Sequence, residues 1–174
     1  MSNDRERDTA LARAVQLREQ GEAEQAREQL VELVERYPGD SEIAYQAAWV
    51  HDVLGLEAEA VPFYERALSG TGLSQEDRHG AFLGLGSTHR VLGRYEAAVQ
   101  TLRRGLEEFP GDPALHAFLA MALYNLGEGR DAVRVLLKTL AATSGDRRVQ
   151  DYRRAIEHYA DDLDSVHGTS EEKS

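Results

Sequence analysis

The chain reads as an all-α solenoid of four helix pairs closed by one terminal helix, and three observations carry that reading. Gly21, Gly55, Gly93 and Gly127 stand 34, 38 and 34 residues apart. Five residues after each comes an alanine (Ala26, Ala60, Ala98, Ala132), and four residues further on a bulky apolar side chain (Leu30, Tyr64, Leu102, Leu136). The composition, 41% hydrophobic and 29% charged, is that of an ordinary helical domain in water. A period near 34 residues marks stacked helical pairs, none of which can bury its apolar face alone.

Each element of the ruler has a physical reason. Glycine permits the reversal between two helices because it adopts positive φ without a Cβ penalty. The alanine one turn into the second helix lets paired helices approach closely. The large residue another turn along lies on the same face and fills the space to the neighbouring unit.

Helices are expected near 8–20, 23–37, 41–54, 57–69, 74–92, 95–109, 113–126, 129–142 and 147–164. Pro38-Gly39-Asp40-Ser41 and Pro110-Gly111-Asp112-Pro113 separate units one from two and three from four, ending one helix and supplying an N-cap for the next. Pro113 suits a first helical position, where the hydrogen bond it lacks would not be made anyway. Ser74-Gln75-Glu76-Asp77 reads as a capping box opening unit three. The longer 38-residue spacing falls at Ser69-Gly70-Thr71-Gly72-Leu73, an insertion between units that leaves the stack intact. Pro62 should delay or bend the second helix of unit two. Val149, Tyr152, Ile156, Tyr159 and Leu163 form an apolar stripe at helical spacing, expected to cover the last repeat. The resulting domain runs over 8–166, with repeats about 8–40, 41–73, 74–112 and 113–146 and a capping helix over 147–166; the polar ends, 1–7 and 167–174, are expected to be a mobile lead-in and a disordered tail.

These positions resemble the tetratricopeptide repeat family, whose units place an aromatic, a leucine, a small residue and a tyrosine on the first helix, then alanine, a bulky residue and proline on the second. Unit three follows it with Phe82, Leu85, Gly86 and His89, then Ala98, Leu102 and Pro110. Unit four has His116, Leu119, Ala120 and Leu123 before Ala132 and Leu136, with Ser144 in place of proline. Unit two reads Ala44, Ala47, Ala48 and His51, then Ala60, Tyr64 and Gly72; unit one starts loosely at Ala10, Arg13, Ala14 and Leu17 but ends in Ala26, Leu30 and Pro38. The part from Gly72 onward is similar to a small bacterial branch of the family whose members are largely uncharacterised. The resemblance implies a right-handed α-α superhelix used as a protein-interaction scaffold.

Composition excludes several functions. Without cysteine there is no disulfide framework, thiolate metal site or cysteine nucleophile. The amino terminus lacks the basic and apolar regions of a secretory signal and no apolar run reaches the ~20 residues of a membrane span, so a cytoplasmic location is expected. Residues 1–73 carry 7 arginines against 15 acids and residues 74–174 carry 13 basic residues against 16 acids, which sums to the net charge of −11. Such a surface repels phosphate backbones, so neither nucleic acid nor an anionic membrane is expected as a partner. His51, His79, His89, His116, His158 and His167 are scattered without metal-ligand spacing; His51 and His89 stand where the family has tyrosine and are expected to pack between helices. Gly84-Leu85-Gly86 and Gly70-Thr71-Gly72 follow no predicted strand, so a nucleotide loop is unsupported, and no cofactor or metal is expected.

Function is then expected from the concave face that the resemblance implies for the first helices. Its positions are Leu11, Val15 and Arg18 in unit one, Tyr45, Trp49 and Asp52 in unit two, Leu83, Ser87 and Arg90 in unit three, and Ala117, Met121, Tyr124 and Asn125 in unit four. The mixture is that of a protein interface. The lysine and asparagine clamp by which chaperone-binding members hold a terminal carboxylate is absent, since Leu11, Tyr45, Leu83 and Ala117 stand there. A non-catalytic module binding a peptide or partner helix is the reading these residues favour. The alternatives are a homodimer formed through the groove or the capping helix, and an enzyme with a site among His51, His89 and His116.

Overall fold

The computed structural model describes residues 2–166, all of whose regular elements are helices. Four antiparallel pairs follow one another: α1 (Ser2–Glu19) with α2 (Ala23–Arg36), α3 (Ser41–Val53) with α4 (Glu57–Ser69), α5 (Gln75–Val91) with α6 (Tyr95–Glu108), and α7 (Pro113–Asn125) with α8 (Gly129–Thr143). Two short helices, α9 (Arg147–Asp151) and α10 (Arg153–Asp161), follow.

The ruler is a repeated helix-to-helix splice. Gly21, Gly55, Gly93 and Gly127 have φ of +86°, +71°, +72° and +83°. The residue after each glycine donates its N–H back five residues, Glu22 to Leu17, Leu56 to His51, Arg94 to His89 and Glu128 to Leu123, at 2.8–2.9 Å. That bond closes the first helix in the left-handed manner that glycine favours. The same residue's carbonyl accepts the first helical bond of the next helix, and the donor is in each case the ruler alanine, Ala26, Ala60, Ala98 or Ala132. All four alanines are buried.

Between units, Asp40 accepts from the N–H groups of Glu42 and Ile43 at 3.0 Å, and Asp112 from that of Leu115 at 2.8 Å. Ser74 accepts from the Asp77 N–H at 3.0 Å, which makes the expected N-cap of α5. The insertion folds back on the start of α3: Ser41 Oγ donates to the Thr71 carbonyl at 3.2 Å, and a Cβ on Gly70 would overlap that hydroxyl.

The core is one continuous seam in two overlapping clusters. One joins Leu11, Ala14, Ala26 and Leu30 to Ile43, Ala47 and Val50; the other runs from Ala44 and Tyr64 through Phe82, Leu85 and Leu102 to Leu123 and Ala132, and Phe63 packs on both. Glycines on α5 make room for this packing, since a Cβ on Gly84 would overlap the Tyr64 ring and one on Gly86 the Leu102 side chain. The first helices α1, α3, α5 and α7 touch in succession, whereas the second helices make no comparable contacts with one another. The first helices therefore form the inner layer of the superhelix.

Several details depart from expectation. α1 begins at Ser2 rather than near residue 8, and its first turns are anchored at a distance. Arg7 reaches Asp40 at 2.8 Å and Glu42 at 2.6 Å, and Arg36 reaches Glu6 at 2.8 Å. Pro62 neither delays nor interrupts α4, which starts two residues after Gly55 as its counterparts do after theirs. Pro62 and Ala58 are both exposed, so water can serve the Ala58 carbonyl that proline leaves without a donor.

The expected terminal helix is broken at Tyr152 (φ −103°, ψ 7°), and only α10 packs substantially on α8. Of its stripe, Tyr152, Tyr159 and Leu163 are exposed, and Ala160 is the residue α10 buries. Leu136, expected to fill the space to a neighbour, is therefore 46% exposed. The expected tail, 167–174, lies outside the described residues.

Candidate functional site

The inner layer brings the expected groove positions into rows, because each row has a constant offset from its turn glycine. Leu11, Tyr45, Leu83 and Ala117 form the deepest row; Leu11 and Tyr45 are buried, and Leu83 and Ala117 half-buried. Tyr45 thus belongs to the groove's support rather than its surface. Val15, Trp49, Ser87 and Met121 form the next row, with Trp49 39% and Met121 43% exposed. Arg18, Asp52, Arg90 and Tyr124 line the outer row three residues before each glycine, and Tyr124 is 71% exposed. Asn125 is exposed beside it.

The rows are held by side chains that sequence spacing alone does not reveal. The Arg18 guanidinium lies over the Trp49 ring, 3.4 Å from its centroid. On the same helix Tyr45 packs on Trp49 at 5.8 Å between centroids, and the Tyr64 ring stands 6.4 Å beyond Tyr45. Such stacking fixes an exposed indole in one orientation. Tyr64 donates to Asp52 at 2.7 Å, and the Thr88 hydroxyl lies 2.9–3.0 Å from both Asp52 oxygens and 2.8 Å from the Gly84 carbonyl. Having one proton, that hydroxyl serves one of these acceptors at a time. A chain of contacts therefore joins α1, α3, α4 and α5 beneath the groove.

Burial governs the ionisation of this cluster. It pushes the Tyr45 phenol up to about 12, and it raises Tyr64 further with the help of the Asp52 charge. It also raises the Asp52 carboxyl, against the two hydroxyls that favour its charged form. Arg18 is lowered by burial, although Glu19 pulls the other way. An arginine so shifted remains a cation at neutral pH.

Val53 and Val91, absent from the expected groove positions, are 56% and 57% exposed at the ends of α3 and α5. Each stands four residues after a groove position, Trp49 or Ser87, so the i, i+4 rule could have found them. With Trp49, Met121 and Tyr124 they make an exposed apolar strip on the inner helices. The remaining exposed large apolar side chains gather at the carboxyl end: Val133, Leu136 and Leu140 on α8, then Tyr152, Tyr159, Leu163 and Val166.

Of the three histidines weighed for catalysis, His51 and His89 are buried in the packing. His51 is buried against Phe63 at 5.0 Å, with Nδ1 2.6 Å from the Ala47 carbonyl. His89 is buried, and burial followed by the Arg94 charge holds its pKa below the ordinary histidine value. His116 is half-buried on α7. Among the described residues no group of three histidines or carboxylates is arranged to hold a metal, and no helix is long and apolar enough to cross a membrane.

A family model described as Tetratrico peptide repeat matches residues 41–163, and a second, Tetratricopeptide repeat, matches residues 8–40. This chain belongs to the tetratricopeptide repeat family. Among solved structures, the MamA protein matches with a TM-score of 0.70 at 15% identity, over 97% of this chain and 82% of its own. MamA 41-end from Desulfovibrio magneticus RS-1 matches at 0.63 and 16% identity, over 91% and 97%. YrrB, described as a TPR protein with an unusual peptide-binding site, matches at 0.59 and 20% identity, over 86% and 85%. At such identities the likeness is one of fold, and the repeat solenoid expected from the glycine ruler is the fold observed. No curated protein sequence matches the chain.

Proposed function

We propose that this tetratricopeptide repeat protein is a non-catalytic interaction module that receives a peptide or helix of a protein partner on its inner layer. The observation that carries this reading is Trp49. A large indole, 39% exposed, is held rigidly between Arg18 and Tyr45 and continued by the exposed Val53, Val91, Met121 and Tyr124. Aromatic anchors fixed before binding lose little conformational entropy, and such residues dominate interface energies. Leu83 and Ser87 form the half-buried middle of the groove, with Arg18, Arg90 and Asn125 as polar groups around the apolar strip. The peptide-binding site named for YrrB supports the same use of the fold.

The test is recovery of partners from cell extract on immobilised wild type and on a Trp49→Ala, Tyr124→Ala variant. Tyr45 is left intact because its truncation would open the core. A partner held by wild type and lost by the equally helical variant supports the groove; equal recovery by both overturns it.

The carboxyl end favours a second reading, a homodimer, because Leu136, Leu140 and Tyr159 are exposed apolar side chains on α8 and α10. A mass that rises with concentration in light scattering, and returns to the monomer in Leu136→Glu, supports that dimer. A monomer at all concentrations removes it.

A further inference from the structure

The proposed groove carries cationic side chains whose Nε–H groups have no hydrogen-bond acceptor. Some arginines elsewhere are paired, as in Arg7 with Asp40, Arg36 with Glu6, Arg78 with Glu108 and Arg153 with Glu157. Arg18 and Arg90 occupy equivalent positions three residues before Gly21 and Gly93 on the inner layer, and both are half-buried. In each, Nε is shielded from solvent and has no hydrogen-bond partner. Neither forms an ion pair or side-chain hydrogen bond among the described residues. Asp52, the acid between them in the same row, is turned to other work, since its oxygens accept from Tyr64 and Thr88.

A half-buried guanidinium without an acceptor has given up hydration with its N–H donors left unpaired, a loss that the Trp49 ring offsets in part at Arg18. Trp49 covers one face of Arg18, so a ligand meets that cation at its edge, the direction in which arginine holds a carboxylate with two hydrogen bonds. Arg18 and Arg90 are cations on a chain of net charge −11, with Glu19 near Arg18 and Asp52 in the row between them. Exposed apolar side chains stand on the same inner helices, Trp49 and Val53 on α3, Val91 on α5, and Met121 and Tyr124 on α7.

We infer that the groove takes a peptide segment with two acidic side chains, one at Arg18 and one at Arg90, and apolar side chains between and beyond them. This rests on the groove reading above and specifies its ligand. The acids are side chains, because a chain end supplies one carboxylate whereas Arg18 and Arg90 stand two repeats apart. The apolar residues settle on Trp49 and Val53 between the two acids and on Met121 and Tyr124 after the second.

A library of random peptides displayed at the amino terminus of a phage coat protein, which offers no free carboxyl end, is selected against three proteins: wild type, Trp49→Ala with Tyr124→Ala, and Arg18→Gln with Arg90→Gln. Circular dichroism first establishes equal helicity; if the double glutamine variant is less helical, R18Q and R90Q are used singly. Wild type is expected to enrich peptides with paired Asp or Glu flanking Leu, Phe or Trp, and the aromatic variant to enrich none of them. The glutamine variant should keep the apolar residues and lose the acids. A synthetic wild-type-selected peptide should bind the glutamine variant about tenfold more weakly, and replacing its acids with Gln should cost the same factor on wild type and little more on the variant. Apolar peptides that need Trp49 and Tyr124 but show no acid enrichment overturn this inference and leave the groove standing. Peptides indifferent to Trp49 and Tyr124, or no enrichment, overturn both.

Discussion

Leu30 and Leu136 hold the same place in their repeats, nine residues after the turn glycine, yet Leu30 is fully buried and Leu136 is 46% exposed. The difference lies in the helix that packs next to each. The face of α2 that bears Leu30 meets α3 and joins Ile43, Ala47 and Val50 in one cluster. The face of α8 that bears Leu136 meets α10, nine residues long and burying Ala160, which covers only part of it. Burial in a solenoid is a property of the interface with the next unit, so the same residue at the same register is buried to different extents along the stack. At the amino end, Arg7 binding Asp40 and Glu42 extends order to the first turns of α1.

Substitutions at the two ends should sharpen that contrast. Leu30→Ala, which opens a cavity in a closed core, should lower unfolding free energy by about 3 kcal/mol in urea titrations. Asp40→Ala should cost about 1.5 kcal/mol at neutral pH, mostly through the lost N-cap. At the other end Asp146→Ala, which uncaps only the five-residue α9, should cost a few tenths of a kcal/mol.

The Asp40 effect also has a pH signature. Burial pushes its carboxyl up, but Arg7 and the Ile43 and Glu42 N–H groups together outweigh burial and hold it below the ordinary 3.8. A folded pKa below the unfolded one means stability that is present above 3.8 and lost as pH falls through the folded value. The gap between wild type and Asp40→Ala should therefore narrow in titrations below that pH; a gap constant with pH would mean that the carboxylate charge contributes nothing.

Between the ends, Gly84→Ala should cost about 1 kcal/mol net, because the gain in helix propensity is smaller than the overlap with Tyr64. It should also disturb the hydrogen bond from Tyr64 to Asp52. Leu136→Ala should cost less than about 1 kcal/mol. A loss there as large as that of Leu30→Ala would mean that the carboxyl end is closed in solution.

The features legible in the sequence are those fixed by local stereochemistry. A left-handed turn residue, a small residue at a helix start and an N-cap acid leave their marks at single positions, so the splices at Gly21, Gly55, Gly93 and Gly127 and the caps at Asp40, Ser74 and Asp112 could be read directly. The early start of α1 could not, because Arg7 finds its partners 33 and 35 residues away. Nor could the break at Tyr152, since an apolar stripe records spacing and not whether a neighbour is there to cover it. In the groove, the choice of helices and rows follows from the repeat, but spacing alone assigns Tyr45 to the surface, because an aromatic serves a core or an interface with the same letter. Its burial depends on the space that Gly80 leaves on α5, where a Cβ would overlap the tyrosine hydroxyl.

The central claim, that partners meet the inner layer rather than the open carboxyl end or the outer helices, can be tested by placing a photo-crosslinking amino acid at Tyr124, Leu136 or Gln100 in the full chain and irradiating cells. Binding on the inner layer should give a crosslink to another protein from Tyr124 that disappears with Trp49→Ala, and none to that protein from Leu136 or from the exposed Gln100 on α6. The same crosslinked partner at Leu136 with nothing at Tyr124 would contradict it and move the binding surface to α8 and α10.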